Sequence, residues 1–550
     1  MYHKGWSTGL VVSLLLAGCG GGGSDAVTDT PATPAPTPPV VTPPVVVTPA
    51  VTVQSGTLKR VLANGVGINL AVTAQASNFT PVGTLYATVG DNGGVFQTPV
   101  QVTAGADGRY TFALDTARTL STGNYKGTAT IKLCSDEACT TAQAVASISV
   151  PYDLTVLSSD TAWPGDNLTT LAAMTGAGDW STLQGNSGHT GYVGVEINPN
   201  QIGLRWKRGA VNASTSSSPT SGYGALLSPL VTANGLFYAS DTTRLTAYKE
   251  QDGSSAWTYS FPDTGSTMAN PPTVAGGVVY ASAIQSDGTY MFAFDASNGN
   301  VRFRSRMGSQ WDRALPPIVQ DSVVYANAGS YGNLYGFSLT GETLFTNSVT
   351  QATLWAPAAD AKGVYVYTGD ALTVYQPKTG EKLATIRDSA YTSYYATING
   401  APVIGAKGVY AAIYGYGGTN SSGNALTRFD TDKGFADWRI KGNYGVAPAY
   451  AAGVLYAPNG NPLRVEARAE ADGVLQWSWT PQLSTENGFY GSPLITKNLL
   501  FVSTNRATYA IDLVSHKPVW SFPLAGHLSI SQNGVLYIQG TDALVAINLK

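Results

Sequence analysis

Ser228-Pro229-Leu230-Val231, Gly235-Leu236-Phe237-Tyr238, Leu245-Thr246-Ala247-Tyr248, then Gly253 and Trp257: this stretch is the unit from which most of the chain is built. It holds a Pro-led apolar step, a Gly turn, a run ending in Tyr, a second apolar strand, and a closing Gly and aromatic. The same order returns at Pro272, Gly277 and Tyr280, with Phe292-Ala293-Phe294-Asp295 and Gly299. Later copies centre on Pro317 and Tyr325, Pro357 and Tyr365, Pro402 and Tyr410, Pro448 and Tyr456, and Pro493 and Phe501. A last, shorter copy holds Gly534-Val535-Leu536-Tyr537. A spacing of roughly 36–46 residues, with four short strands in each repeat, predicts a β-propeller with one repeat per blade.

The recurring residues have physical reasons. Strands such as Gly277-Val278-Val279-Tyr280 combine β-branched and aromatic side chains, which suits strands covered on both faces. The turns Asn298-Gly299, Thr379-Gly380 and Asp472-Gly473 supply the positive φ of a tight hairpin. Trp257, Trp438 and Trp477 each follow a turn Gly by four residues, and Trp520 stands in the same place after Ser515-His516. This places them on the outermost strand, where a large ring fills the wedge that opens between blades. The copies number eight, with seven blades as the fallback count. The last ends at Ala546-Ile547-Asn548-Leu549-Lys550 without a fourth strand, whereas Gly203-Leu204-Arg205-Trp206-Lys207 reads as an outer strand without its blade. Pairing the two closes the ring and removes an open sheet edge.

Upstream, residues 1–19 carry Lys4, the apolar run Leu10-Val11-Val12-Ser13-Leu14-Leu15-Leu16, and Leu16-Ala17-Gly18-Cys19. The run is a secretory signal too short to span a membrane. Its end resembles the bacterial lipobox, which implies lipidation of Cys19 and a lipid-anchored protein. Gly20 after the Cys implies, by the same resemblance, the outer membrane, on its periplasmic side or at the cell surface. Residues 20–51 are a Gly run followed by a Pro- and Thr-rich linker that prefers extended polyproline geometry. Residues 52–157 alternate apolar and polar residues, as in Thr84-Leu85-Tyr86-Ala87-Thr88-Val89 and Arg109-Tyr110-Thr111-Phe112-Ala113-Leu114, and predict an immunoglobulin-like β-sandwich. Cys134 and Cys139 bracket a short turn and are expected to form a disulfide in an exported chain. Residues 158–179 read as a linker and 180–550 as the propeller. The fold class is therefore all-β: an eight-bladed β-propeller preceded by an immunoglobulin-like β-sandwich, the two folding separately.

The repeat resembles the quinoprotein-type repeat, whose blade turn has the form Asp-x-x-x-Gly-x-x-x-Trp. It is clearest at Asp430, Gly434 and Trp438, with Phe303 closing the turn at Asp295 and Gly299, and Ala469 replacing the Asp before Gly473 and Trp477. The segment Trp180…Gly185…His189-Thr190-Gly191-Tyr192 is similar to the start of such propellers. The resemblance covers about residues 180–550 and implies a fold rather than an activity. One branch comprises dehydrogenases that use pyrroloquinoline quinone. Another comprises non-enzymatic lipoproteins, including the propeller subunit of the outer-membrane β-barrel assembly machinery. The dehydrogenases hold the quinone against a disulfide of adjacent cysteines and a bound Ca²⁺. All three cysteines here precede residue 140, no Cys-x-x-Cys-His haem site exists, and Asp430-Thr431-Asp432-Lys433-Gly434 lacks the twelfth-position acid of a Ca²⁺ loop. The four histidines do not pair with a Ser or Cys at a nucleophile spacing. A periplasmic quinone-dependent dehydrogenase is the alternative reading. The leading expectation is no catalysis, no cofactor and no metal site.

Charged residues make up only 12% of the chain and the net charge is −3, which argues against the basic face a nucleic-acid partner needs. Binding remains. The segments linking one blade to the next, and those within the middle hairpin, crowd one face. They hold Trp311, Tyr391, Tyr394, Tyr414, Tyr416, Tyr444 and Tyr490. Rigid rings beside Asn, Ser and Gly suit a protein or glycan contact. The expected protein is a monomeric propeller that binds an envelope protein or glycan partner and is held to the membrane by its lipid.

Overall fold

The computed structural model describes residues 47–211, 230–241, 243–262, 268–308, 316–328, 333–349, 355–388, 396–397, 401–415 and 424–550. Residues Pro49–Lys550 form one compact unit built from strands and short 3-10 turns. Among the described residues no helix is long and apolar enough to cross a membrane.

Among the described residues, eight antiparallel sheets of four or five strands follow one another between residues 203 and 548. The first spans 231–260, the second 268–307, the third 318–348 and the fourth 358–387; the fifth, sixth and seventh span 396–441, 449–479 and 494–522. The eighth takes its inner three strands from 527–548 and its outer strand from 203–209. Ala546 pairs with Trp206 and Ile547 with Leu204, so the closing strand expected from the sequence is in place. Innermost strands touch in succession from 231–233 through 273–275, 318–320, 358–359, 403–404 and 449–451 to 494–495. Strand 527–530 touches both the seventh sheet and 231–233, so the series returns to its start. The architecture is a β-propeller.

The Gly-aromatic pattern acquires its cause here. Trp257 Nε1 donates to the Ala296 carbonyl at 2.9 Å and Tyr238 OH to the same carbonyl at 3.2 Å, which ties the first sheet to the turn of the second. Across the fifth and sixth sheets Trp438 Nε1 donates to the Glu470 carbonyl at 3.2 Å, and Tyr410 OH to the Glu470 carboxylate at 2.9 Å. In the first four sheets and the sixth, the turn Gly lies under a ring of the sheet before it: Gly253 under Trp206, Gly299 under Trp257, Gly341 under Phe303, Gly380 under Phe345 and Gly473 under Trp438. A Cβ on Gly299, whose φ is +74°, would sit 2.5 Å from Trp257. Gly is therefore required twice, for backbone conformation and for ring clearance. Gly299→Ala combines a strained αL residue with an overpacked ring and is expected to cost about 2–4 kcal/mol of unfolding free energy by chemical denaturation. A change below about 0.5 kcal/mol would sever the turn from the ring packing.

Residues 180–193 form a hub on the axis. Their carbonyls accept amide N–H groups from the innermost strands of six sheets, through Thr232, Val274, Ala359, Ile404, Tyr450 and Ile495, at 2.7–2.9 Å. The third sheet is held by the Thr182 hydroxyl, which donates to the Pro317 carbonyl at 3.0 Å. His189 is buried, with its ring nitrogens at the Leu183 and Pro357 carbonyls. Inner strands leave an unpaired edge at the axis, and the hub satisfies it.

At the seam between the eighth and first sheets the Trp206 indole donates to the Glu250 carbonyl at 3.0 Å, and Asn533 Nδ2 donates to the Glu250 carboxylate at 2.9 Å. Burial pushes the Glu250 pKa up to about 7; Asn533 and Ser531 oppose this, Asp179 adds to it and Arg205 opposes it. An acid whose folded-state value is raised takes up a proton on folding between the two values. The stability this contributes is complete below the unfolded value and is lost as pH rises from about 4.5 to about 7. Glu250→Gln should flatten that part of the melting-temperature profile, and a profile parallel to wild type would contradict it. The 158–179 segment runs along this seam: Asn167 N–H donates to the Arg205 carbonyl and Met174 N–H to the Gln532 carbonyl.

Residues 50–157 form two four-stranded sheets. One orders strands 50–53, 69–77, 109–115 and 101–104; the other orders 58–63, 148–157, 123–134 and 86–90. Leu70, Phe112, Ile131 and Leu154 lie in a single core between them, and Cys134 is disulfide-bonded to Cys139. The sequence leads one to expect this part to fold apart from the propeller. Instead the same core continues into Tyr456, Val465, Leu500 and Tyr509 of the sixth and seventh sheets. Arg60, buried, donates from Nε to the Val519 carbonyl at 3.0 Å, and Ala63 N–H donates to Ser521 Oγ at 2.9 Å.

Candidate binding face

Each sheet hands the chain to the next by a connector from its outer strand to the following inner strand. The connectors around Asp388, Tyr444 and Tyr490 belong to three consecutive joints. Each joint holds a buried carboxylate.

At the fourth-to-fifth joint Asp388 is buried and accepts from Thr427 Oγ1 at 3.2 Å and Arg439 Nε at 3.1 Å. At the fifth-to-sixth joint the strand Leu463–Ala469 places Arg464, Glu466 and Arg468 on one face by its period of two. Glu466 has no exposure and accepts from Tyr444 OH at 2.8 Å, Asn459 Nδ2 at 3.1 Å, Arg464 Nε at 2.8 Å and Arg468 Nε at 2.7 Å. Burial pushes its pKa up, but the donors Arg468, Asn459, Arg464 and Tyr444 outweigh burial and hold it below the ordinary Glu value. Burial, then the Glu466 charge, push the Tyr444 phenol well up, so it stays a neutral donor.

At the sixth-to-seventh joint Glu486 Oε1 accepts from Thr504 Oγ1 at 2.6 Å and Tyr509 OH at 2.9 Å, and its Oε2 accepts from Leu483 N–H at 2.8 Å. Tyr490 N–H donates to the Ser503 carbonyl, and Asn505 N–H to the Gly488 carbonyl. The Tyr490 ring is partly exposed and meets His527 edge-on, with centroids 5.1 Å apart. Asn487, exposed, and Phe489, partly exposed, stand beside it.

The seven rings expected on the face therefore divide. Trp311, Tyr391, Tyr394 and Tyr416 lie outside the described residues. Tyr414 falls on the strand Val409–Gly415, its backbone paired with Thr397. Tyr490 stands at the rim. Tyr444 is corrected: at 2% exposure it is an internal anchor that ties its connector to Glu466. Sequence reasoning missed the three carboxylates. Glu466 had a signal, an acid between Arg464 and Arg468 in an alternating strand; Asp388 and Glu486 had none, because their side-chain donors Thr427, Arg439, Thr504 and Tyr509 stand far along the chain.

The alternative cofactor can be tested against these groups. Asp388, Glu466 and Glu486 each face donors of this chain, and no group of three His, Cys, Asp or Glu able to hold a metal occurs among the described residues. The residues described on this face therefore do not fit a Ca²⁺-quinone site. What the arrangement supplies is two connectors, those of Tyr444 and Glu486, fastened by charge-assisted hydrogen bonds, each stronger than a neutral one.

The family model described as outer membrane protein assembly factor BamB matches residues 189–304 and 282–420. No curated protein matches the chain. Among solved structures, BamB from Moraxella catarrhalis is similar at 17% identity and a TM-score of 0.48, covering 58% of this chain and 95% of its own. The computationally designed Ika8 protein matches at 12% identity and a TM-score of 0.46, covering 58% and 94%. A quinohemoprotein alcohol dehydrogenase from Pseudomonas putida matches at 12% identity and a TM-score of 0.48, covering 68% and 80%. The repeat is of the quinoprotein (PQQ-like) type.

Proposed function

We propose that this protein is a non-catalytic scaffold of the bacterial cell envelope, held at the outer membrane by a lipid on Cys19. In this reading an eight-bladed propeller, one blade per sheet, carries an immunoglobulin-like sandwich fixed to its side. Its rim binds a protein or glycan partner, with outer-membrane protein assembly as the favoured setting. The observation that carries the reading is that Asp388, Glu466 and Glu486 are taken up by donors of this chain, the last two fastening connectors, rather than facing a reactant. A connector held this way presents the Tyr490 ring with little entropy left to lose. The matched repeat family supports the envelope setting.

The anchor is tested separately from the scaffold. Cys19→Ser removes the thiol to be acylated and should leave an unprocessed precursor, or protein outside the outer-membrane fraction. Unchanged fractionation and mass would defeat the anchor. Adding pyrroloquinoline quinone and Ca²⁺ to purified protein should give no bound-quinone absorbance, and a stoichiometric one would return the dehydrogenase reading.

A further inference from the structure

The seventh sheet shows what an outer strand of this propeller can hold. Four residues after its turn stands Trp520, as Phe345 and Ala384 stand after Gly341 and Gly380 in the third and fourth sheets. In all three the register shifts at the preceding residue, leaving Val519, Leu344 and Leu383 as the bulged positions. The three strands are therefore equivalent, residue by residue.

On the seventh sheet this bulge is where the chain's own sandwich sits. Val519 is 7% exposed and its carbonyl accepts from Arg60 Nε at 3.0 Å. Ser521, two residues on, accepts from Ala63 N–H at 2.9 Å, and Lys517, two residues before, pairs with Asp115 at 2.8 Å. The third and fourth sheets repeat the first two features with no cover among the described residues. Leu344 is 42% and Leu383 52% exposed, with Leu339 beside the third-sheet turn at 45%. Thr346 and Thr385, both exposed, bring a hydroxyl to the place of Ser521. The remaining sheets put Ala256, Arg302, Asp437, Gln476 and Arg205 at the bulge, none of them a branched apolar side chain.

One feature is inverted. Where Lys517 meets Asp115, the third and fourth sheets carry Glu342 and Glu381, both exposed. A second copy's sandwich would bring Asp115 against these acids, and its docking edge is already engaged on its own seventh sheet. Like charges in register disfavour that occupant.

We propose that the outer strands 343–348 and 382–387 are a docking surface for a separate β-sheet protein with a basic edge. That edge places a guanidinium or amide donor against the bulge carbonyl and a Lys or Arg against Glu342 or Glu381. The proposal rests on the scaffold reading and deepens it, giving the partner a place and a chemistry. It is independent of the rim around Tyr490.

The test uses the full-length protein in the cells that make it. A photo-crosslinking residue replaces Leu344, Leu383 or, as control, Val514, which is 87% exposed in the seventh-sheet turn. One partner, identified by mass, should be labelled from 344 and 383 but not from 514. The paired change Glu342→Lys and Glu381→Lys should lower its yield at least about tenfold, equivalent to about 1.4 kcal/mol, with an unchanged melting temperature. Equal labelling from 514, labelling that survives charge reversal, or a product consisting of two copies of this chain would overturn the proposal. A partner labelled from position 490 and not from 344 or 383 would overturn it while leaving the scaffold reading standing.

Discussion

A chain lacking residues 180–207 is expected to aggregate or to be cut rapidly by protease. The deletion removes the carbonyls that accept amides from six inner strands, and it opens the eighth sheet by removing most of strand 203–209. Six hydrogen bonds at about 1 kcal/mol each come to about 6 kcal/mol. Losing the buried rings Trp180 and Trp206 adds about 3–5 kcal/mol apiece. That sum is comparable to the whole stability of a folded domain, about 5–15 kcal/mol, and the new edge is a template for association. Limited proteolysis and size-exclusion chromatography read the outcome. A chain beginning near residue 215 that melts cooperatively at the full-length temperature would contradict the hub and the closure together.

The second large effect belongs to Glu466. Glu466→Ala leaves Arg464 and Arg468 beside a buried gap without their shared carboxylate and frees the Tyr444 hydroxyl. Breaking a buried ion pair from one side costs about 3–5 kcal/mol. Glu466→Gln, which keeps the shape and part of the hydrogen bonding, should cost less. Denaturant unfolding measures both. An alanine variant within about 0.5 kcal/mol of wild type would show that the network does not fasten the connector.

How much of this was legible beforehand depended on distance along the chain. Gly299 and Trp257 advertise themselves because each recurs in one repeat after another, and the strand around Trp206 is legible as a missing piece. The sandwich seat was not: Arg60 and Val519 are 459 residues apart, and neither is unusual where it stands. Tyr444 and Tyr490 look alike in sequence, each a ring in a connector beside Asn and Gly. Glu466, on a later strand, draws one ring inward, whereas nothing comparable meets the hydroxyl of the other among the described contacts. The pattern of a repeat reports what each blade does for its neighbour, and the exceptions report what the particular protein does with the surface that remains.

The measurement closest to the central claim is partner capture from the rim. With a photo-crosslinking residue at Phe489 in intact cells, the scaffold account predicts one envelope partner. Tyr490→Ala should weaken that capture about thirtyfold while the melting temperature stays near wild type, as for a contact residue at the centre of an interface. A large fall in melting temperature with capture intact would contradict the account, assigning Tyr490, like Tyr444, to the interior.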